Sequence, residues 1–270
     1  VLHVQKVAIV TGASKGIGLE IANSLHQDGY IVYGTSRSVE GQTKRPFLLK
    51  KLEVSSDESV ASMVRQVLDE TGRIDVLINN AGYDVYGSAA GTSMEELYAQ
   101  MDVNFYGAVR MARAVLPTMK WQKSGNIINI SSIGGLLSLP FNSAYAASKF
   151  AMEGYFEAMR HEVRPLGVYV SLVEPQGIST DTLDTSIQSI AHEVPEHEEQ
   201  LKQMIERMRG DGKASGLKPA LVAAVVRKIL STKQPRLRYP VGGLATFMPT
   251  MKSLMPQKMF ENFIANQFMK

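Results

Sequence analysis

Six short apolar runs recur along this chain and constrain its fold more than any other feature. They are KVAIVTG (Lys6 to Gly12), YIVYGTS (Tyr30 to Ser36), FLLKKLEV (Phe47 to Val54), DVLINNAG (Asp75 to Gly82), NIINISS (Asn126 to Ser132) and VYVSLVEP (Val168 to Pro175). Near-continuous runs of this kind are expected of strands buried on both faces. Between most of them lie segments of helical period, such as SDESVASMVRQVLDETG from Ser56 to Gly72. Strand and helix in alternation predict an α/β fold, a doubly wound parallel sheet flanked by helices on both faces. Such sheets bind ligands outside the carboxyl ends of their strands, where the strand order reverses. No repeat or low-complexity linker interrupts the pattern, so residues 1–270 are read as one domain.

The chain contains no cysteine, which excludes disulfides, thiolate nucleophiles and thiolate-held metals, and no metal site is expected. No apolar run approaches the length of a membrane span, so a soluble, intracellular, cytoplasmic protein is expected. Charge is unevenly spread: Val1 to Gln200 holds 16 Lys/Arg against 23 Asp/Glu, and Leu201 to Lys270 holds 13 against 3. The basic part lacks the cationic density, interleaved aromatics and fold signature of a nucleic-acid binder, so no nucleic-acid partner is expected.

The first run leads directly into TGASKGIG, Thr11 to Gly18. Glycines between a buried strand and a helix let backbone amides approach a pyrophosphate at the helix N-terminus. The plainer reading is a turn that packs helix on strand. Further on, SAYAASKFAM places Tyr145 and Lys149 four residues apart among small helix formers. That spacing puts both on one helix face, where a positive charge favours the phenolate of a tyrosine. A half-buried aromatic with a snorkelling lysine would look the same.

Taken together, TGASKGIG, NNAG at Asn79 to Gly82, Asn104, Ser132 and Tyr-x-x-x-Lys at 145 and 149 resemble the short-chain dehydrogenase/reductase family in order and spacing. The stretch from Ser131 to Arg160 further resembles its hydroxysteroid and retinol dehydrogenase-like branch. The resemblance implies a Rossmann fold, a homodimer or homotetramer, and an alcohol or ketone substrate. It implies that Tyr145 transfers the proton, Ser132 orients the substrate oxygen, Lys149 binds the nicotinamide ribose, and Asn104 holds a water leading to Lys149. Coenzyme contacts are implied at Gly12, Ser14, Lys15, Gly16, Ile17, Gly18, Ser36, Arg37, Glu53, Val54, Asn80, Ala81, Gly82, Asn104, Tyr145, Lys149, Pro175, Ile178 and Thr180. Glu53 stands where an aspartate commonly meets the adenine amine. Gln176 replaces the glycine usual after Pro175, which puts the local backbone in question. A non-catalytic cofactor-binding regulator on the same fold is the alternative, although such proteins typically lose the tyrosine or lysine.

The second strand ends in Ser36 and Arg37 with no carboxylate. A basic residue there suits a 2′-phosphate and an acidic one a 2′-hydroxyl, so NADPH/NADP+ is expected over NADH. Residues 180–219 form a long polar insertion where the family hangs a substrate loop, with Leu201, Met204, Ile205 and Met208 at helical spacing. The segment 245–270 adds Met248, Met251, Met255, Met259, Phe260 and Phe263. Loop and tail are expected to wall a pocket for a bulky apolar substrate; packing within the domain or assembly, and contact with a membrane surface, are the competing readings.

Overall fold

The structure is a computed structural model that describes residues 5–39, 44–177, 187–188, 197–206 and 216–268. The elements in chain order are β1 (Val7–Val10), α1 (Gly16–Gln27), β2 (Ile31–Ser36), β3 (Leu48–Lys51), α2 (Asp57–Thr71), β4 (Val76–Asn79), β5 (Val85–Tyr86), α3 (Met94–Met101), α4 (Gly107–Gln122), β6 (Gly125–Ile130), α5 (Ser143–Val163), β7 (Val168–Pro175) and β8 (Ile187–Gln188). They continue with α6 (197–206), α7 (Pro219–Ser231), β9 (Arg238–Val241), α8 (Gly243–Leu254) and α9 (Gln257–Phe268).

Seven strands form one sheet in the order β3-β2-β1-β4-β6-β7-β9, and every pairing in it is parallel. Successive strand residues point to opposite faces, so the central strands supply two cores. Val7, Ile9, Leu77, Ile127, Val170 and Leu172 pack with residues of α2, α4 and α5. Ala8, Val10, Val76, Ile78, Ile128 and Val173 pack with residues of α1 and α7. The doubly wound single domain expected from the sequence is the observed one.

Two edges differ from the expectation. β3 is not buried on both faces: Leu48 is 45% exposed, because the strand closes the sheet. The opposite edge, β9, reads RYPV and interrupts the apolar pattern with Arg238 and Pro240. Proline is tolerated on an edge strand, where its missing N–H takes nothing from the ladder. Tertiary pairing to β7 makes this segment a strand. No helix among the described residues is long and apolar enough to cross a membrane.

Strand order reverses between β1 and β4, which opens a crevice at their carboxyl ends. Thr11 to Gly18 follows β1 there, and Asn80 to Gly82 follows β4. The ends of β6 and β7 deliver Ser131, Ser132 and Pro175 to the same edge.

Candidate active site

The glycine turn is tied to the β4 end by a compact set of bonds. Thr11 Oγ1 accepts from the amides of Asn80 and Ala81, both at 2.9 Å, and Asn80 Nδ2 donates to Thr11 O at 2.9 Å. Gly12 has φ +66°, and a Cβ on Gly18 would stand 2.3 Å from Gly12 O. Only hydrogen fits at that approach, which leaves the concave face to backbone. Lys15, the N-cap of α1, supplies no side-chain cap, so the first-turn amides stay open to an anion. These features fit a dinucleotide pyrophosphate.

Lys15 and Arg37 lie exposed beside this cradle, and Ser36 ends β2 half-buried. Arg45, which the sequence reading passed over, donates from Nη2 to Ser14 O at 2.9 Å. Glu53 does not stand free: its carboxylate accepts from Ser55 Oγ at 2.7 Å. Val54 packs against Gly107 and lines a crevice with Thr11, Ala81 and Val103. Pro175 ends β7, and Ile178 and Thr180 lie outside the described residues.

Asn104 is fully buried within one turn of π-helix, Asp102–Tyr106, wedged between α3 and α4. Its Nδ2 donates to Tyr83 O at 2.9 Å and Ser148 Oγ at 3.2 Å, while its Oδ1 accepts from Tyr83 N at 3.0 Å. Such single turns interrupt the helical ladder and recur at functional sites.

Ser132, Tyr145 and Lys149 come together where β6 ends and α5 begins. Ser132 Oγ accepts from Gly134 N at 3.0 Å and is hydrogen bonded to the Tyr145 phenol. Lys149 is 6% exposed; its Nζ donates to Ile130 O at 2.8 Å and sits 5.6 Å from the Tyr145 ring centroid. Ser131 is held by its backbone, N to Val173 O at 2.8 Å.

The electrostatics depart from the simple picture of a lysine lowering a tyrosine. Burial pushes the Tyr145 phenol above its ordinary range and the Asp84 carboxylate adds to the rise; only the Ser132 bond opposes it. Burial pulls the Lys149 ammonium down to about 8, against the pull of Asp84 and Glu153. Asp84 itself is raised to about 6 by burial, with Lys149 and a bond from Tyr86 opposing. Asp84 and Tyr86 were not singled out from the sequence. The available signal was a carboxylate inside the aromatic stretch YDVY, directly after NNAG.

Behind Lys149, Arg238 Nε pairs with Glu153 Oε2 at 3.1 Å and Glu174 Oε1 at 3.2 Å, and its Nη2 with Glu157 Oε2 at 2.8 Å. Burial lifts the Glu174 carboxyl to about 8, with Glu153 adding and Arg238 opposing. Gln176 finds a defined place: its Oε1 accepts from Leu244 N at 2.7 Å, and its N donates to Val241 O at 3.0 Å. It therefore ties the β7 end to β9 and to the start of α8.

Leu201, Met204 and Ile205 of α6 keep the helical spacing read from the sequence, but they bury themselves against Tyr86 and Phe141, which is the packing within the domain that competed with the pocket-wall expectation. Met208 lies outside the described residues. Lys252 Nζ of α8 donates to Leu136 O at 3.0 Å, which brings the tail against the turn that follows Ser132.

A parallel sheet with a glycine cradle at its first turn is a dinucleotide-binding fold, and Ser132, Tyr145 and Lys149 gather at the same edge of it. The short chain dehydrogenase family model matches residues 6–191. The chain is 37% identical over 258 residues to a 3-ketodihydrosphingosine reductase of Bacteroides thetaiotaomicron, covering 95% of each. It is 39% identical over 189 residues to retinol dehydrogenase 8 of Bos taurus, covering 65% of this chain and 60% of that one. A metagenomic short-chain oxidoreductase solved in complex with NADP superposes with a TM-score of 0.68 at 28% identity, covering 87% and 96%. The chain belongs to the short-chain dehydrogenase family and is an oxidoreductase of the kind that acts on CH–OH groups.

Proposed function

We propose that the protein interconverts an alcohol and a ketone or aldehyde with NADP(H), with Tyr145 as acid and base and a bulky apolar molecule as substrate. One observation carries the reading: the Tyr145 phenol, bonded to Ser132 and flanked by Lys149, shares a strand edge with the Gly12–Gly18 cradle. The Gly12–Gly18 cradle would hold NADPH, which when bound would supply a hydride to the carbonyl carbon. Ser132 donates a hydrogen bond to the carbonyl oxygen and orients it. Tyr145 passes its proton to that oxygen, which completes the alcohol. Lys149 faces the phenolate left behind and stabilises it by its positive charge. Asn104, clamped by Tyr83 and Ser148, holds the water through which Lys149 exchanges protons with solvent.

Burial keeps the Tyr145 phenol protonated at neutral pH, which favours the reductive direction. For the coenzyme, Arg37 can fork two hydrogen bonds onto a 2′-phosphate, and Lys15 and Arg45 add charge beside it. The solved relative bound to NADP agrees with this choice. A bulky apolar substrate is in keeping with relatives named for a ketodihydrosphingosine and for retinol.

The test is reduction of a ketone panel followed by nicotinamide absorbance. Tyr145→Phe should lower kcat by about 100-fold or more, the usual worth of a positioned acid, while coenzyme binding persists. Substantial turnover by that variant would remove Tyr145 from the role. Arg37→Ala should weaken NADPH about tenfold or more, as expected for a charged hydrogen bond, and leave NADH unaffected. Equal loss for both coenzymes would overturn the NADP preference.

A further inference from the structure

Tyr145 and Lys149 are the first two members of a row along one side of α5 that continues, at four-residue steps, through Glu153 and Glu157. Lys149 and Glu153 are 6% and 4% exposed. An ammonium and a carboxyl therefore lie one turn apart with little water to screen them.

The short turn Ile133–Gly135 meets the same groups after β6. A Cβ on Gly134 would stand 3.1 Å from Tyr145 Cε1 and 3.4 Å from Ser132 Oγ. On Gly135 it would stand 2.9 Å from Glu153 Cγ, 3.0 Å from Ser131 Oγ and 3.1 Å from Lys149 O. Two successive glycines thus rest one on the Ser132–Tyr145 pair and the other on Glu153.

Arg238 decides which buried carboxyl of this group is the anion. Its Nε carries one hydrogen, and that hydrogen goes to Glu153 Oε2 at 3.1 Å. Glu174 Oε1 lies 3.2 Å from the same nitrogen and is buried without a hydrogen-bond partner. With its carboxyl lifted to about 8 by burial, Glu174 stays largely protonated at pH 7. Burial raises Glu153 as well, but bonds from Ser131 and Arg238 and the charges of Arg238 and Lys149 oppose that rise.

We propose that Glu153 is a positioning residue: as the buried carboxylate held by Arg238, it keeps Lys149 charged and in place beside Tyr145. The proposal rests on the oxidoreductase reading above. Lys149 is faced by Tyr145 and Glu153 of α5, by Asp84 ahead of β5, and by Ile130 O of β6, which accepts from its Nζ at 2.8 Å. Glu153 in turn is faced by Ser131 at the end of β6, Glu174 of β7 and Arg238 of β9, and Arg238 also holds Glu157 at 2.8 Å. Burial works to neutralise the ammonium, and a carboxylate one turn away works to keep it.

Lysine labelled with carbon-13 at Cε reports the Lys149 titration by NMR, its signal assigned by its absence from Lys149→Arg. Glu153→Gln keeps the shape of the side chain and removes its charge, and should lower the Lys149 midpoint by about one unit, the lesser effect of a close opposite charge. Glu174→Gln alters a carboxyl that is already neutral and should leave the midpoint in place. With the midpoint moved down one unit from about 8, kcat for ketone reduction should fall about threefold at pH 7.5 and match wild type at pH 6, with KM unchanged. A loss equal at every pH would mark a structural role and overturn the proposal. An unmoved midpoint in Glu153→Gln, or an equal shift in Glu174→Gln, would overturn it too. Should Glu153→Gln not fold, Glu153→Gln combined with Arg238→Met removes both partners of the pair, which buried ion pairs tolerate better than loss of one, and must lower the midpoint in the same way. If wild type reduces no ketone, the oxidoreductase reading fails for those compounds, while the NMR midpoint still decides for or against Glu153.

Discussion

At the scale of single residues, Asp84 should cost the fold stability. A carboxyl whose folded pKa lies above its unfolded one binds protons more tightly when folded, so stability falls as pH rises between the two values. For Asp84 the window runs from the ordinary 3.8 to about 6, and the penalty is complete above it. Asp84→Asn should therefore stabilise the protein at pH 7.5 by about 1–3 kcal/mol, a shift of roughly two units at 1.36 kcal/mol each, and by little at pH 4. Denaturant titrations at the two pH values measure this; a variant less stable at pH 7.5 would refute it. A residue that lowers stability beside the proposed proton donor is the pattern of a functional site.

At the scale of elements, the join between β7, β9 and α8 depends on Gln176 and Gly242. Gly242 has φ +102°, and a Cβ there would stand 2.4 Å from Gln176 Cδ. Gln176→Gly removes the only side-chain bond among those described to the amide of Leu244, as loss of a helix cap would. A cost of about 1 kcal/mol is expected, or roughly 2–4 °C in Tm for a chain of this size. Gly242→Ala combines a left-handed backbone with a clash and should cost more, about 1–3 kcal/mol. Calorimetry that ranks the two the other way would show that the side-chain contact, not the backbone, governs this join.

At the scale of the whole molecule, α5 and the π-helical turn before α4 present Tyr155 and Tyr106 at 37% and 49% exposure, and Phe105 stacks edge-on with Tyr155. We expect this face to bury itself against a second copy, giving the dimer or tetramer that the family resemblance implies. Tyr106→Glu with Tyr155→Glu should then shift the mass measured by light scattering to that of one chain, whereas a wild type that is already monomeric would end the idea. Much of the fold and site was legible beforehand, because buried parallel strands write continuous apolar runs and because the glycine turn and the Tyr145–Lys149 pair are local patterns. Leu201, Met204 and Ile205 were legible for the same reason, since helical spacing is local. What the sequence by itself determined was therefore the strand and helix alternation, the strand-end glycine turn and the spacing that sets Tyr145 and Lys149 on one helix face. The tertiary structure alone decided that Arg238 and Pro240 lie in an edge strand, that Arg45 reaches Ser14 across 31 residues, that Gln176 caps a helix 68 residues away, and that Asp84 faces Tyr145. Each of those roles is set by a partner distant in the chain, and no local period or spacing encodes the meeting of two distant side chains.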